Sequence, residues 1–195
     1  MPVRIAILGG PRCGKTTLIQ QLYVDLKIRD LNVGVATEYS TDYLRDKGMI
    51  ETIAEQYGIY LGQAQLEAAL SEFDYAITDY ATFVPFIYGR FMLGDKKRTK
   101  KEIEILKDLY MLALRDLPKY DYIFFVPREF GYEKDGVRWQ DENLAKSIDK
   151  AILSFLEAEN VKFEVITGST KERSDKILEI VGLEDIEIKA AVLQE

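Results

Sequence analysis

Five short runs of almost unbroken apolar residues punctuate the chain, at 3–8, 33–37, 75–78, 122–126 and 163–167. Runs of this length without alternation are the pattern of strands covered on both faces. Between them, apolar residues recur at helical spacing. Leu18, Ile19, Leu22 and Leu26 form one stripe, and Leu66, Ala69, Leu70 and Phe73 a second. Leu106, Leu109, Tyr110 and Ala113 precede the fourth strand, Leu144, Ile148, Ile152 and Phe155 follow it, and Ile177, Leu178 and Val181 follow the fifth. Each has the i, i+3/i+4, i+7 spacing of a core-facing helix. Strands alternating with helices predict an α/β fold around a five-stranded parallel sheet with helices on both faces. Ile186, Glu187 and Ile188 alternate as a short strand would, and the tail is left open between strand and helix.

Two stretches fit no covered element. Residues 94–101 (GDKKRTKK) are a basic run, read as a solvated helix start. Residues 127–143 (PREFGYEKDGVRWQDEN) are long, polar and charged. A loop of that length within a compact domain is usually functional, and this one is expected to be a lid.

Composition narrows the chemistry. The 195 residues favour one domain, and with 47% hydrophobic and 30% charged residues there is material for a core. A net charge of −7 argues against non-specific coating of nucleic acid. One cysteine excludes an internal disulfide or a cysteine zinc cluster, and the lack of histidine excludes Ser-His or Cys-His nucleophiles and histidine-ligated metals. No stretch approaches the roughly 20 apolar residues of a membrane helix, and the expected location is the cytoplasm. Carboxylates, lysines, arginines and a bound ion are left to do any catalysis.

The sharpest motif is Gly9-Gly10-Pro11-Arg12-Cys13-Gly14-Lys15-Thr16, a full match to G-x-x-x-x-G-K-[ST], followed by Thr17. It lies between the first predicted strand and the first predicted helix, where a phosphate loop must lie. Its N–H groups and the helix N-terminus attract phosphate oxygens. Lys15 is expected on the β- and γ-phosphates of ATP, and the Thr16 hydroxyl on Mg²⁺. Cys13 reads either as a reactive thiol or as a small residue that fits the loop.

The N-K-x-D and L-S-G-G-Q signatures of GTPases and transporter ATPases are absent, leaving a small kinase-like enzyme. Glu38 and Asp79 follow the second and third strands, on the sheet edge that carries the phosphate loop. Asp79 is expected to hold Mg²⁺ and Glu38 the acceptor hydroxyl, with Asp42 as a competitor for the latter. Arg128, Lys134 and Arg138, in the long loop, are candidates to stabilise the transferring phosphoryl group. Tyr39, Tyr43, Phe83, Phe86, Tyr88 and Trp139 are candidates to stack a base. Gln63 and Asp135 are placed with Glu38, Tyr39 and Phe86 at the acceptor.

The order of these motifs resembles the P-loop kinase domain of the NadR-type ribosylnicotinamide kinases and the AAA-ATPase-like proteins grouped with them. The blocks are GGPRCGKTTL; Glu38-Tyr39 with Tyr43-Leu44; Gly62 to Glu67 (GQAQLE); Thr78-Asp79 with Phe86 and Tyr88-Gly89-Arg90; Asp135-Gly136-Val137-Arg138; and Gly168-Ser169 with Glu172-Arg173. The resemblance implies transfer of the ATP γ-phosphate to a nucleoside-like alcohol or phosphate. It also implies that Gly168, Ser169 and Arg173 lie near the adenine. Ile77 stands where that family's first aspartate would be, and Thr41 where it has an arginine. The competing readings are a regulatory ATPase and a nucleic-acid end kinase using the basic run.

Overall fold

The computed structural model describes residues 1–94, 99–129 and 142–188. Strand β1 (Val3–Leu8) leads through the glycine-rich loop into helix α1 (Lys15–Lys27). Then follow β2 (Val33–Ala36), α2 (Tyr39–Lys47), α3 (Glu55–Ala68), β3 (Tyr75–Asp79), α4 (Val84–Leu93) and α5 (Lys100–Asp116). A turn of 3-10 helix (Leu117–Lys119) enters β4 (Tyr122–Phe125), and α6 (Glu142–Ala158), β5 (Glu164–Val165) and α7 (Thr170–Val181) follow.

All strand pairings are parallel, in the order β2-β3-β1-β4-β5. The unbroken apolar runs are explained by what lies on each face. Ile5 and Ile7 of β1 and Phe124 of β4 face a cluster with α1 and α7. Ala6, Leu8, Ile123 and Phe125 face the opposite cluster, built from α4, α5 and α6. Side chains alternate across a strand, so a strand with two covered faces needs apolar residues at every position. Because β1 is central, Leu8 ends beside both β3 and β4: Ile7 pairs with Asp79 and Leu8 with Phe125. The phosphate loop therefore leaves the sheet between the ends of two neighbouring strands, as ligand sites do in open α/β sheets.

Three expectations are adjusted. The fifth strand is only Glu164–Val165, because as an edge strand it pairs with β4 alone. No strand forms at 186–188; Ile186 instead packs against the α1/α7 cluster. The stripe from Leu66 to Phe73 straddles the end of α3, with Phe73 packing after the helix has stopped. Periodicity did not announce α2 and α4, for opposite reasons. Helix α2 buries no residue, and α4 is so largely enclosed that it has no polar face to set against an apolar one. At α5, Thr99 and Glu102 form a reciprocal capping box, so the end of the basic run is a helix start; its residues 95–98 lie outside the described set. No helix among the described residues is long and apolar enough to cross a membrane.

Candidate active site

The loop from Gly9 to Thr16 is shaped from both sides. At Gly10 the backbone meets α6 so closely that an added Cβ would lie 2.5 Å from Asp149 Oδ1 and 2.9 Å from the Ala145 carbonyl. Without a side chain, the Gly10 N–H donates directly to Asp149 Oδ1 at 2.5 Å. Arg128 completes this contact, donating from one nitrogen to the Pro11 carbonyl at 2.7 Å and from another to Asp149 Oδ2 at 3.3 Å. Farther along, Arg173 donates to the Cys13 carbonyl at 3.0 Å. A second Arg173 nitrogen donates to Glu129 Oε2 at 2.6 Å, and Glu129 Oε2 also accepts from the Gly168 N–H at 2.7 Å. The Arg173 guanidinium, and after it the Gly168 N–H, hold the Glu129 carboxyl below its ordinary pKa. Two arginines thus engage carbonyls of the loop, a division of labour that leaves its backbone N–H groups, other than that of Gly10, for an anion.

Lys15, the first residue of α1, is almost wholly enclosed. Its Nζ donates to the Gly10 carbonyl at 3.2 Å and lies 5.1 Å from the centre of the Tyr80 ring. Burial alone would lower its pKa, but Cys13, Asp79, Glu38 and Tyr88 outweigh burial and hold the ammonium well above its ordinary value. Thr16 Oγ1 donates to Asp79 Oδ2 at 3.3 Å, so the hydroxyl and the carboxylate face one point. Tyr80, immediately after, has φ +73°, a conformation uncommon for a bulky side chain. This turn aims its ring at Lys15, and its hydroxyl donates to that of Tyr88. Backbone strain of this kind collects where geometry serves a ligand.

The second edge of the site follows β2. Glu38 accepts a hydrogen bond from Ser40 and stands at the N-cap of α2. The Tyr39 N–H donates to Gln63 Oε1 at 3.0 Å. Gln63 Nε2 donates to Thr78 Oγ1 at 3.1 Å and to the Asp79 carbonyl at 3.3 Å. Thr78 in turn donates to Glu67 at 3.1 Å. Tyr120 also donates to Glu67, while accepting from the Thr82 N–H at 2.8 Å. Burial raises the Glu67 pKa, against the pull of its hydrogen-bond donors and Arg4.

The structure thus gathers Lys15, Thr16 and Asp79 and brings Glu38 and Tyr39 to the same sheet edge. It redirects four other residues. Arg128 is anchored to the loop carbonyl and Asp149, the position of a clasp and not of a mobile finger. Arg173, 1% exposed, holds the loop from within the protein, with its guanidinium enclosed. Phe86 is core, its ring centre 5.0 Å from that of Tyr110 and 5.5 Å from that of Phe155. Gln63 is 2% exposed and directs its amide to internal partners. Phe83 is likewise core, stacked on Phe155, and the Cys13 side chain is fully buried as a packing residue. Ser169 caps α7 in a reciprocal box with Glu172, and Thr17 is exposed on the first turn of α1. Lys134, Asp135, Arg138 and Trp139, and with them most of the expected lid, lie outside the described residues. Sequence reasoning gave no role to Asp149, Glu129 or Tyr120, and reached Glu67 only as the last residue of the GQAQLE block.

The fold and the strand–loop–helix site define an α/β P-loop NTPase fold. A family model described as "AAA domain" matches residues 4–173, and the chain belongs to that family. No curated protein matches it. Among solved structures it is similar to the NadR protein in complex with NR, with a TM-score of 0.72 and 16% identity, over 96% of this chain and 52% of that one. The NadR protein in complex with NAD and AMP-PNP is similar at a TM-score of 0.71 and 15% identity, over 96% and 51%. Thymidylate kinase from Ehrlichia chaffeensis gives 0.62 and 12%, over 92% and 98%. The chain spans about half the length of the NadR chains. At these identities the likeness establishes a shared fold, and the resemblance read from the motifs holds at that level.

Proposed function

We propose that this protein is a phosphotransferase that uses ATP and Mg²⁺ to phosphorylate a small nucleoside-like or nucleotide-like acceptor, acting as one P-loop kinase domain in the cytoplasm. The observation that carries the reading is the meeting of Lys15, Thr16 and Asp79 at the end of the glycine loop, with Thr16 Oγ1 3.3 Å from Asp79 Oδ2. The AMP-PNP complex of the similar NadR fold supports an adenine nucleotide as donor.

The donors suit the metal. Mg²⁺ prefers oxygen ligands and usually takes one or two carboxylates together with substrate phosphates. Thr16 and Asp79 offer a hydroxyl and a carboxylate oxygen, and no group of three or more acidic or cysteine ligands forms among the described residues. Thr16 and Asp79 would hold the ion, which would supply positive charge to offset that of the phosphates. The chain's own residues do the rest. The N–H groups of the loop and the first turn of α1 hold the phosphates. Lys15, kept charged, moves from the Gly10 carbonyl to the β- and γ-oxygens. Glu38 accepts the proton or hydrogen bond of the acceptor hydroxyl as it attacks. Arg138 is assigned to the transferring group and Asp135 to the acceptor on the sequence motif alone, both lying outside the described residues.

The deciding experiment couples ADP release to a panel of nucleosides and nucleoside monophosphates. ADP should form rapidly only with a matching acceptor, whose phosphorylated product appears in equal amount. Equal ADP release with and without every acceptor would overturn transfer in favour of a regulatory ATPase.

A further inference from the structure

We propose that Gln63 is a positioning residue that fixes the gap between the acceptor carboxylate Glu38 and the metal carboxylate Asp79. This deepens the reading above and rests on it for the roles of those two carboxylates. Glu38 and Asp79 stand at the ends of neighbouring strands, β2 and β3, and each is followed by backbone that leaves the sheet. Gln63, from α3, ties these two exits together: it accepts from the Tyr39 N–H at 3.0 Å and donates to the Asp79 carbonyl at 3.3 Å.

The orientation of its amide is determined by its partners. The Tyr39 N–H can only donate, so the oxygen must face it; the Asp79 carbonyl can only accept, so the nitrogen must face that. The same nitrogen donates to Thr78 Oγ1 at 3.1 Å, which directs the single threonine proton to Glu67 Oε1 at 3.1 Å. Tyr120 accepts from the Thr82 N–H and directs its proton to the same carboxylate. The bonds through Thr78 and Tyr120 therefore end on Glu67, one helical turn after Gln63 on α3, while the other Gln63 proton goes to the Asp79 carbonyl, and the chain of bonds has one self-consistent direction. A glutamate at 63 would keep the acceptor for Tyr39, lose both donors and face Glu67. A methionine would keep the shape and lose both functions.

Helix α2 depends on this bond. It buries no residue, and Glu38 forms no side-chain cap to it. Its first N–H, one of the donors that a helix leaves without a partner of its own, goes to Gln63. The Tyr39 ring lies directly against Gly62, where an added Cβ would occupy the ring itself. Residues 62 and 63 of α3 thus seat the start of α2 by a flat contact and a hydrogen bond, and Glu38 is the residue just before it.

The test uses the full chain and a fluorescent N-methylanthraniloyl ADP as the probe, titrated with Mg²⁺. Q63M should raise the Mg²⁺ concentration for half-maximal probe binding by about tenfold, the scale at which groups behind a metal ligand act, with affinity at saturating Mg²⁺ nearly unchanged. The Tyr39 amide, followed by NMR hydrogen exchange without nucleotide, should exchange at least about tenfold faster in Q63M. In Q63E it should stay protected while the Mg²⁺ midpoint still rises. Should Q63E fail to fold, Q63M alone decides. A folded Q63M with the wild-type Mg²⁺ midpoint, or with a Tyr39 amide exchanging at the wild-type rate, overturns the proposal. A wild-type protein whose probe binding ignores Mg²⁺ would instead defeat the metal role in the proposed function, and Tyr39 exchange would still judge the Gln63 bond.

Discussion

The two edges of the site are held by different chemistry. On the phosphate side, Arg128 and Arg173 bind the Pro11 and Cys13 carbonyls and are themselves paired with Asp149 and Glu129. On the acceptor side, an amide and hydroxyls pass hydrogen bonds inward to one buried carboxylate, Glu67. The contrast follows from what each edge must present. A phosphate loop has to keep N–H groups pointing at an anion, so its carbonyls need donors behind them, and a planar guanidinium supplies several at once. The acceptor edge carries Glu38 and Asp79, both already near enough to the Lys15 ammonium to raise its pKa. Neutral amide and hydroxyl groups set a spacing without cancelling the carboxylate charge.

The largest expected effect separates chemistry from support on the phosphate side. Lys15→Ala should lower phosphate transfer by about 10³-fold, the scale of a cation on the transferring group, since Lys15 contacts its own loop and the Tyr80 ring. Its unfolding midpoint without nucleotide should fall as well, because a buried ammonium that offsets Asp79 and Glu38 is lost, so transfer is compared between folded proteins. Undiminished turnover in this variant would remove the phosphate-loop assignment altogether.

Arg173→Ala should act chiefly on stability. It deletes a guanidinium that is 1% exposed and leaves the Cys13 carbonyl and Glu129 without that donor. Leaving the Cys13 carbonyl without its buried donor costs about 1–3 kcal/mol, and the pair with the exposed Glu129 adds little. Urea denaturation should show that loss, with nucleotide affinity falling only as the loop loosens. Arg128→Ala should lose less stability and far less kcat than Arg138→Ala. If Arg128→Ala instead stops turnover in a stably folded protein, it is a catalytic cation that leaves its clasp.

This asymmetry also explains what could be read from the chain. The phosphate loop is a local motif: eight consecutive residues specify the turn and the helix start, so the placement of Lys15 and Thr16 was legible. The position of Asp79 and Glu38 was legible because a parallel sheet gathers strand ends at one edge. The clasps were not, because Arg173 and Cys13 lie 160 positions apart and Arg128 and Pro11 lie 117 apart. An arginine in a polar loop has the same local signature whether it reaches for a phosphate or a backbone carbonyl. Phe86 misled for a similar reason: an aromatic near a strand end reads as a stacking surface, while packing against Tyr110 and Phe155 makes it core.

On the acceptor side the effects are smaller. Tyr120→Phe keeps the ring, which packs edge-on to Phe83, and removes the hydroxyl that joins the Thr82 N–H to Glu67. Leaving buried polar groups without a partner costs about 1–3 kcal/mol. The expected outcome is a loss within that range by urea denaturation and a modest fall in kcat. No change in stability would mean that Glu67 is satisfied without Tyr120.

The finest test is the pH dependence of Glu67, which is sharpened by a second buried carboxylate. Burial pushes both Glu67 and Asp116 toward the neutral form. Asp116 nevertheless ends below its ordinary value, because Lys119 and Arg115 bind it as cations. Glu67 ends above its ordinary value of 4.5, because the closest groups opposing burial are the hydroxyls of Tyr120 and Thr78. A raised value means that the folded protein holds the proton more tightly than the unfolded chain does. The Glu67 contribution is therefore fully present below pH 4.5 and is lost as pH rises through the higher folded value. For Asp116 the sign reverses: its contribution is present above its ordinary value of 3.8 and is lost as pH falls through the lower folded one. Glu67→Gln removes the first dependence and leaves the second. Comparing urea midpoints across about pH 4 to 7, the wild type should lose stability relative to Glu67→Gln as pH rises above 4.5. Parallel curves would mean that Glu67 titrates at its ordinary value, and that the acceptor edge does not hold a carboxylate against the cost of burying its charge.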